Sequence, residues 1–357
     1  MRISRVETWS EAVPLTRPYS IASRTISEVE LFFVRILGAN GQIGLGSASP
    51  AAEVTGESHT ACAQALGQES IAWLEGRDLR DLISLCRELR TKLRSAPAAR
   101  VALEMALHDL TACMLDRPLV DLLGRCHEAL PTSITIGIKE SLDEAMAEAE
   151  EYLERGFRSL KVKIGRSFTI ETELLQRLRR RVGDAIQIRV DANLGYDLEE
   201  TEALWPLVES LGLELVEQPV PVEIFGQIAN LAPAYRSLIA ADESLLDETD
   251  ALRWARQPPV CGIFNIKLMK CGGLTSAVEI ARLAEIAGID LMWGCMDESV
   301  ISISAALHTA YACPNTRYLD LDGSFDLARD PAQGGFELVD GRLRLLDRPG
   351  LGVDLLA

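Results

Sequence analysis

The sequence predicts an α/β protein: a modified (β/α)7β barrel of the TIM type preceded by an N-terminal α+β capping domain. Three observations lead to this prediction. A strand meander with three helices comes first, and eight short β runs alternating with about seven helices follow from Thr132. Charged residues also recur where successive predicted strands end. Strands that alternate with helices form parallel sheets, and eight of them favour closure into a barrel.

The predicted capping domain contains strands followed by helices. Residues 1–13 and 27–50 show strand-like alternation, and the second run includes the turn signal GANGQ. Helices are predicted at Gly56–Leu74, Asp78–Ala96 and Pro97–Leu115, the last with leucines at helical spacing. These elements predict a domain over residues 1–125.

The predicted barrel covers residues 126–323. Its eight β runs are TSITIGI, SLKVKIG, IQIRVDAN, LELVEQP, SLIAADES, GIFNIKL, IDLMWGC and TRYLDLDG. A helix is also expected near Ile224–Leu231, after the fourth run. The remaining residues, 324–357, contain β runs separated by turns, and we expect them to pack back on the capping domain.

Composition limits the partners that the protein can have. The 357 residues carry a net charge of −17, and this acidic balance argues against nucleic acid and anionic membrane surfaces as partners. Neither a transmembrane run nor an apolar signal segment is recognisable. The eight cysteines form no Cys-x-x-Cys pair, which favours buried thiols in a reducing compartment. A cytoplasmic enzyme or binding protein is the expectation.

Polar residues stand where the predicted barrel strands end, which is where catalytic residues of such barrels lie. In chain order they are Lys161, Lys163, Asp191, Asn193, Glu217, Asp242, Lys267, Asp297, Asp320 and Asp322. The steps between equivalent positions are 30 residues from 161 to 191, then 26, 25 and 25. Each step is one βα unit, so we expect these side chains to converge at one end of the barrel.

Three of these residues, Asp191, Glu217 and Asp242, are carboxylates from three adjacent strands. Held together without a cation, they would repel one another and be costly to bury. A set of oxygen ligands without histidine or cysteine fits a hard ion with open coordination positions. The sequence therefore predicts a Mg²⁺ site.

Lysines are predicted on both sides of this metal site. Lys161 and Lys163 lie two apart on one strand and therefore share its inner face, whereas Lys267 comes from the opposite wall. Two like charges held close disfavour each other's protonation, as burial does, so one lysine could act as a base near neutral pH. Bases on both faces of a bound carbon could remove an α-proton and return one on either side.

Each motif alone also has a structural interpretation. A Lys-x-Lys pair on a strand is commonly a solvated edge, and VDAN and ADES can be helix N-caps. The pair Asp320 and Asp322 can likewise cap the turn that follows it. The recurrence of all these motifs at equivalent positions is what favours a catalytic site.

With these motifs in view, the chain resembles the enolase superfamily, in particular its muconate-lactonizing subgroup. The matching motifs are KVKIG, VDAN, VEQP, ADES, NIKLMKCGG and the helical segment ALEMALHDLTACMLDRPLVDLLG. The resemblance implies that Asp191, Glu217 and Asp242 bind Mg²⁺. It also implies that Lys163 and Lys267 perform a two-base 1,1-proton transfer through an enediolate, assisted electrostatically by Lys161. The family's symmetric assembly implies a homo-oligomer.

Within the subgroup, the eighth strand is most like that of the dipeptide epimerases of the L-Ala-D/L-Glu type. In those enzymes the residues that match Asp320 and Asp322 hold the α-ammonium of the substrate, and two carboxylates suit such a cation. The resemblance therefore implies epimerisation at the second residue of a dipeptide. An N-acylamino acid racemase and a muconate-type cycloisomerase of the same subgroup are the alternatives.

Residues of the capping loops and barrel mouth are expected to select the dipeptide. Arg24 matches a position that can meet an acidic side chain, whereas Glu53 and Asp297 favour a basic one. Because acids predominate, a non-acidic or cationic dipeptide is the expectation, and Asn193 is a further candidate for substrate binding. A barrel that only binds its ligand and a Schiff-base aldolase are rival classes, but neither needs the opposed lysines together with three carboxylates.

Overall fold

The N-terminal part is an antiparallel sheet covered by helices. The computed structural model describes residues 1–20, 25–139 and 141–356. The sheet has the order β1–β2–β3 and consists of β1 (Ile3–Ser20), β2 (Thr25–Gly38) and β3 (Ile43–Ala48). The GANGQ segment closes the turn between β2 and β3, with a hydrogen bond of 2.8 Å from Gly38 N–H to the Gln42 carbonyl.

Six helices follow this sheet. They are α1 (Ala52–Thr55), α2 (His59–Ala65), α3 (Gln68–Ile71), α4 (Leu82–Lys92), α5 (Pro97–Met114) and α6 (Leu119–Leu123). Short 3-10 helices cover Ala72–Leu74 and Leu79–Asp81. The three predicted helical stretches are therefore present, although the first two are broken into shorter pieces.

Helix α5 is the central element of this part, and it is buried along most of its length. It packs closely on β3 because Gly44 and Gly46 have no side chains. A Cβ at Gly44 would overlap the carbonyl of Ala106, and one at Gly46 would overlap the carbonyl of Ala102. The IGLGSA strand thus brings the backbone of β3 against the backbone of α5.

The barrel is a parallel sheet of eight strands in sequential order. After the short strand β4 (Ala129–Pro131), its members are β5 (Ile134–Ile136), β6 (Ser159–Lys163), β7 (Gln187–Asp191), β8 (Val216–Glu217), β9 (Ile239–Ala241), β10 (Ile263–Ile266), β11 (Asp290–Gly294) and β12 (Thr316–Asp320). A bridge between Thr132 and Leu319 brings the first and last strands together. The predicted barrel and capping domain are confirmed.

Helices connect the barrel strands on the outside. They are α7 (Leu142–Glu154), α8 (Phe168–Val182), α9 (Leu198–Leu211), α10 (Pro233–Arg236), α11 (Glu248–Trp254), α12 (Leu268–Cys271), α13 (Leu274–Ala287) and α14 (Val300–Ala310). The helix expected near Ile224–Leu231 is a 3-10 helix over Val222–Asn230, and another covers Gly323–Asp326. Among the described helices, none has the length and apolarity needed to cross a bilayer.

A small apolar cluster, separate from the main core, is built from five barrel strands. Its members are Leu215, Ala240, Ile263, Met292 and Tyr318. Successive side chains of a strand alternate between its faces, so a residue two positions further along shares the same face. Glu217, Asp242, Asn265 and Asp320 stand at such positions. The strands therefore place these polar groups directly above an apolar layer.

The C-terminal strands contact both parts of the protein. They are β13 (Ala332–Gly334), β14 (Phe336–Val339), β15 (Arg342–Leu345) and β16 (Val353–Leu355). Strand β15 pairs with β4, and the Leu351 N–H donates to Asp109 of α5 at 2.7 Å. The domain boundaries predicted from the sequence, 1–125 for the capping domain, 126–323 for the barrel and 324–357 for the C-terminal segment, remain predictions.

The buried imidazole of His308 makes stability depend on pH. Its Nδ1 accepts a hydrogen bond of 3.0 Å from the Val120 N–H, and burial lowers the pKa of His308 to about 4. The unfolded chain, with a histidine pKa of about 6.5, binds a proton that the native protein lacks, so stability falls as the pH drops from about 6.5 to 4. Between pH 7 and pH 5 we expect a loss of about 2 kcal/mol from this group. In His308→Asn, the amide oxygen can accept the same hydrogen bond. Urea denaturation of this variant should show a smaller fall in the free energy of unfolding between pH 7 and pH 5. A pH dependence equal to that of the wild type would contradict the assignment to His308.

Candidate active site

The register of the barrel strands brings the three predicted metal ligands together. Lys163 on β6 is paired with Asp191 on β7, and Asp191 with Glu217 on β8. Glu217 is paired with Ala240 of β9, two residues before Asp242. All three carboxylates are at most 1% exposed. The register of adjacent parallel strands thus places three acids side by side at one end of the barrel.

Lys161 is buried in the middle of this acidic group. Its Nζ lies 3.1 Å from Asp191, 2.9 Å from Glu217 and 2.7 Å from Asp320. Lys163, on the same face but nearer to the barrel mouth, is partly exposed. Its Nζ lies 2.7 Å from Asp191 and donates to the Asn193 side-chain oxygen at 2.7 Å. The two lysines are therefore held at different depths.

Lys267 approaches the carboxylates from the other side. It directly follows β10, which is four strands from β6 in the eight-stranded order. Its Nζ lies 2.8 Å from an oxygen of Asp242. Because four strands are half of the circumference, Lys163 and Lys267 come from opposite walls of the barrel, as the sequence predicted.

The carboxylates, rather than the neighbouring lysines, dominate the charge state of the buried amines. Burial by itself would lower the pKa of Lys161, but Asp320, Glu217 and Asp191 raise it well above its usual value. Burial likewise opposes the charge of Lys267, whose pKa is raised by Asp242. The expected lowering of a lysine pKa by a like-charged neighbour is thus outweighed for both groups.

The carboxylates fit a divalent cation. Burial and then the charge of Asp191 raise the pKa of Glu217 to about 8. Burial opposes ionisation of Asp191 as well, but the lysines lower its pKa to about 2. One buried oxygen of Glu217 lies 2.9 Å from the Lys161 Nζ, so it already faces a positive charge. A cation placed among Asp191, Glu217 and Asp242 would relieve this repulsion, and Mg²⁺ prefers such oxygen ligands.

Two residues that support these ligands were not predicted from the sequence. Asn265 donates to the second oxygen of Glu217 at 2.8 Å. Lys270 is buried, pairs with the Asp242 carboxylate and donates to the backbone oxygens of Asp242 and Asn265 at 2.7 and 3.0 Å. The sequence feature that could have revealed Asn265 is its position two residues before Lys267, which places both side chains on the same face.

The eighth strand brings Asp320 and Asp322 to the same side of the site. Asp320 accepts from the Ser133 hydroxyl at 2.6 Å, besides its ion pair with Lys161. Asp322 accepts from the Thr135 N–H at 2.8 Å, and burial followed by the charge of Asp320 raises its pKa to about 6. The pair therefore concentrates negative charge in a nearly water-free part of the mouth.

The barrel mouth contains additional acids. The Ser49 hydroxyl, at the end of the capping sheet, donates to the backbone oxygen of Asp297 at 2.8 Å, so a capping loop contacts the loop after β11. Burial and then the charges of Asp322 and Asp297 raise the pKa of Asp326 to about 7. Asp326 was not predicted, because only the fold brings it near the other two.

Two candidates from the predicted capping domain remain, Glu53 and Arg24. Glu53 is an exposed residue of the short helix α1, four positions after Ser49. Arg24 lies outside the described residues. The contact through Ser49 therefore places the Glu53 loop next to the barrel mouth.

Comparison with known protein families agrees with this geometry. Residues 3–124 match the N-terminal domain of the mandelate racemase and muconate lactonizing enzyme family, and residues 144–357 match the enolase C-terminal domain-like family. The chain belongs to the enolase superfamily. The family matches together cover the capping sheet and the barrel strands β6 to β12 of this enolase superfamily member.

Several relatives of this superfamily member have assigned activities. It is 56% identical to an L-Lys-D/L-Arg epimerase from Methylococcus capsulatus, over 99% of each chain. It is 35% identical to an L-Ala-D/L-Glu epimerase from Bacillus subtilis, over 99% of this chain and 97% of the relative. A crystal structure of the dipeptide epimerase from Methylococcus capsulatus, complexed with Mg and L-Arg-D-Lys, superimposes with a TM-score of 0.97, at 56% identity and 99% coverage of both chains.

These likenesses confirm four of the predictions made from the sequence: the family, the enzyme class, the fold and the cofactor. The protein is an enolase superfamily member most like the dipeptide epimerases. It is an isomerase, since its relatives are epimerases, and it has their barrel fold. Its predicted cofactor, Mg²⁺, is the ion found in the related structures. The roles of the individual residues remain to be proposed.

Proposed function

We propose that this protein is a Mg²⁺-dependent dipeptide epimerase that inverts the α-carbon of the second residue and prefers cationic dipeptides. The observation that carries the preference is the group of acids at the barrel mouth, Asp297, Asp322 and Asp326, where burial and then repulsion by the charges of Asp322 and Asp297 raise the pKa of Asp326. A cationic ligand would relieve that repulsion, whereas an acidic one would add to it.

In this proposal, Asp191, Glu217 and Asp242 hold the metal. Mg²⁺, when bound, stabilises the negative charge that develops on the substrate carboxylate as its α-proton leaves. Lys163 and Lys267 face the α-carbon from opposite walls, so one removes the proton and the other donates a proton to the opposite face. Lys161, buried among the carboxylates, remains protonated and stabilises charge without exchanging protons.

The amino end of the substrate is assigned to Asp320 and Asp322. A dipeptide carries an α-ammonium group there, and two buried carboxylates are suitable partners for it. An N-acylated amino acid lacks this charge, and a dicarboxylate would be repelled. The pair therefore favours a dipeptide over the substrates of an N-acylamino acid racemase or a muconate-type cycloisomerase.

The cationic side chains are assigned to the neighbourhood of Asp297 and Glu53, with Asn193 beside Lys163 as a further binding group. Support comes from the relatives: the 56% identical protein and a 50% identical one from Desulforapulum autotrophicum are both L-Lys-D/L-Arg epimerases. Arg24, in the other capping loop, would instead suit an acidic side chain.

A dipeptide library tests this function. Each dipeptide is incubated with the enzyme in D₂O, with and without Mg²⁺, and deuterium is measured at the α-carbon of the second residue. Lys- and Arg-containing dipeptides should exchange fastest, and only with the metal. Preferential exchange of Ala-Glu-like dipeptides would contradict the specificity, and exchange of N-blocked amino acids alone would contradict the dipeptide assignment.

The substitution Asp297→Asn should weaken the preference for cations. Loss of one carboxylate from the mouth is expected to lower kcat/KM for Lys-Arg dipeptides about 10-fold or more, while Ala-Ala changes much less. The ratio of the two kcat/KM values is the measurement. Asp290→Asn, which alters a partly exposed acid paired with Arg317, is the control and should leave the ratio unchanged. An unchanged ratio in Asp297→Asn would contradict the assignment.

We also propose that the enzyme is a cytoplasmic homo-oligomer that binds neither nucleic acid nor membranes. All eight cysteines are free thiols, which suits a reducing compartment. The net charge of −17 disfavours binding to nucleic acid and to anionic lipids. Sedimentation analysis tests the assembly, and a single monomeric species at micromolar concentration would contradict it.

A further inference from the structure

The one-turn helix α12 connects Lys267 to the glycines of the KCGG sequence. The carbonyl of Lys267 accepts the first hydrogen bonds of this helix, from the N–H groups of Lys270 and Cys271 at 3.0 and 3.2 Å. Gly272 ends the helix in the left-handed conformation, with φ of 71°. Because the backbone of Lys267 is bonded to α12, any shift of α12 moves the base of this side chain.

Helix α5 of the N-terminal part holds the end of α12 through Arg100. The Arg100 Nε donates to the Gly272 carbonyl at 2.6 Å, and its Nη2 donates to the Cys271 carbonyl at 2.6 Å. The side chain is buried. A guanidinium that binds two consecutive carbonyls in a fork fixes their direction as well as their distance.

Glu104, one turn further along α5, holds the next segment. Its carboxylate accepts from the Thr275 N–H at 2.6 Å, at the start of α13. It is only 3% exposed, so this bond is shielded from water. Arg100 and Glu104 therefore clamp both sides of the short loop between α12 and α13.

The two glycines of KCGG make room for this clamp. A Cβ at Gly272 would overlap the Arg100 guanidinium, and a Cβ at Gly273 would overlap the Glu104 carboxylate. The left-handed conformation also favours glycine at position 272. The glycine pair is thus explained by contacts with α5 and not by binding of a phosphate.

We propose that Arg100 and Glu104 are positioning residues that hold Lys267 at the α-carbon of the substrate through α12. The inference rests on the proposed two-base epimerisation and extends it to the capping helix. Neither residue belongs to the proposed substrate or metal site. Lys270 binds Asp242 and Met269 accepts from the Ser49 N–H, so loss of the clamp removes the hydrogen bonds from Arg100 of α5 while these other contacts of α12 remain.

Because the two bases face opposite epimers, this proposal can be tested by comparing the α-proton exchange rates of the two epimers. In D₂O, one epimer loses its α-proton to Lys267 and the other loses it to Lys163. The epimer that faces Lys267 is identified as the one whose exchange is lost in Lys267→Ala. Displacing Lys267 should slow exchange from that epimer selectively, whereas general destabilisation of the fold slows both.

The variant Arg100→Lys keeps the charge but loses the fork that binds two carbonyls. We expect about 10-fold or slower exchange from the Lys267-facing epimer and a change within about twofold for the other, since small misplacement of a reacting group is costly. Glu104→Gln should change the ratio of the exchange rates of the two epimers in the same direction. It provides the test if Arg100→Lys does not fold.

The matched control is Arg179→Lys. Arg179 on α8 also binds backbone carbonyls, those of Leu211, Gly183 and Ile186, but these lie between outer helices and the start of β7. In Arg179→Lys, the ratio of the exchange rates of the two epimers should equal that of the wild type. Equal slowing of both epimers in Arg100→Lys and Glu104→Gln, or no change in either variant, would overturn the positioning role. Failure of the wild type to exchange either epimer would instead overturn the proposed epimerisation.

Discussion

Lys163→Ala and Lys267→Ala are each expected to abolish epimerisation. The structure places the two amines on opposite walls of the barrel, each within 2.8 Å of a carboxylate of the proposed metal site. Inversion needs a proton removed on one face and delivered on the other, so neither lysine can replace its partner. We expect the epimerisation rate to fall by about 10⁴-fold, the upper end of the range for a positioned acid–base group.

The control for these variants is Lys92→Ala, a surface substitution on α4 next to Trp73, which should retain wild-type activity. Circular dichroism and thermal denaturation establish that each variant is folded. Full epimerase activity in either Lys163→Ala or Lys267→Ala would contradict the two-base scheme. Equal loss of activity in Lys92→Ala would show that the assay reports stability instead.

Glu217→Gln is expected to cause a large loss of Mg²⁺ affinity and, with it, of epimerisation. Glu217 is fully buried between Lys161 and Asn265, and glutamine keeps its shape while removing its charge. With one of three carboxylates neutralised, we expect the affinity for Mg²⁺ to fall by at least about 100-fold and epimerisation to be lost at ordinary metal concentrations. Calorimetric titration with Mg²⁺ measures the affinity independently of activity.

Asp109→Asn is the matched control, since it also removes a buried carboxylate. Asp109 lies in α5 and accepts N–H groups of Leu45 and Leu351 at 2.7 Å, away from the barrel mouth. Its Mg²⁺ affinity should remain that of the wild type. Unchanged affinity in Glu217→Gln would remove Glu217 from the metal site, whereas an equal loss in Asp109→Asn would indicate a general effect of buried charge.

The barrel and its central residues could be predicted because they follow a local rule. Parallel strands carry equivalent residues to the same edge, and a period of two keeps Lys161 and Lys163 on one face. Asp191, Glu217 and Asp242 therefore come together at successive strand ends. The repeat length of the βα units is therefore enough to predict that these three carboxylates converge.

Other parts of the site could not be predicted because they depend on distant contacts. Burial lowers the pKa of Lys161, but three carboxylates from three other strands outweigh it and raise this pKa well above its usual value. Lys270 is buried because α12 turns it toward Asp242, a contact that only the folded chain provides. The clamp by Arg100 and Glu104 joins residues that lie more than 170 positions apart in the sequence.

The most direct test of the two-base epimerisation is a single measurement of deuterium during the early part of the reaction in D₂O. L-Lys-L-Arg is incubated with the Mg²⁺-loaded enzyme, the two epimers are separated, and the isotope at the α-carbon of arginine is determined by mass spectrometry. Opposed lysines predict that nearly every newly formed epimer carries deuterium while the remaining substrate stays mostly protiated. A new epimer that retains the original proton would contradict the account, because a single base would then have carried that proton from one face to the other.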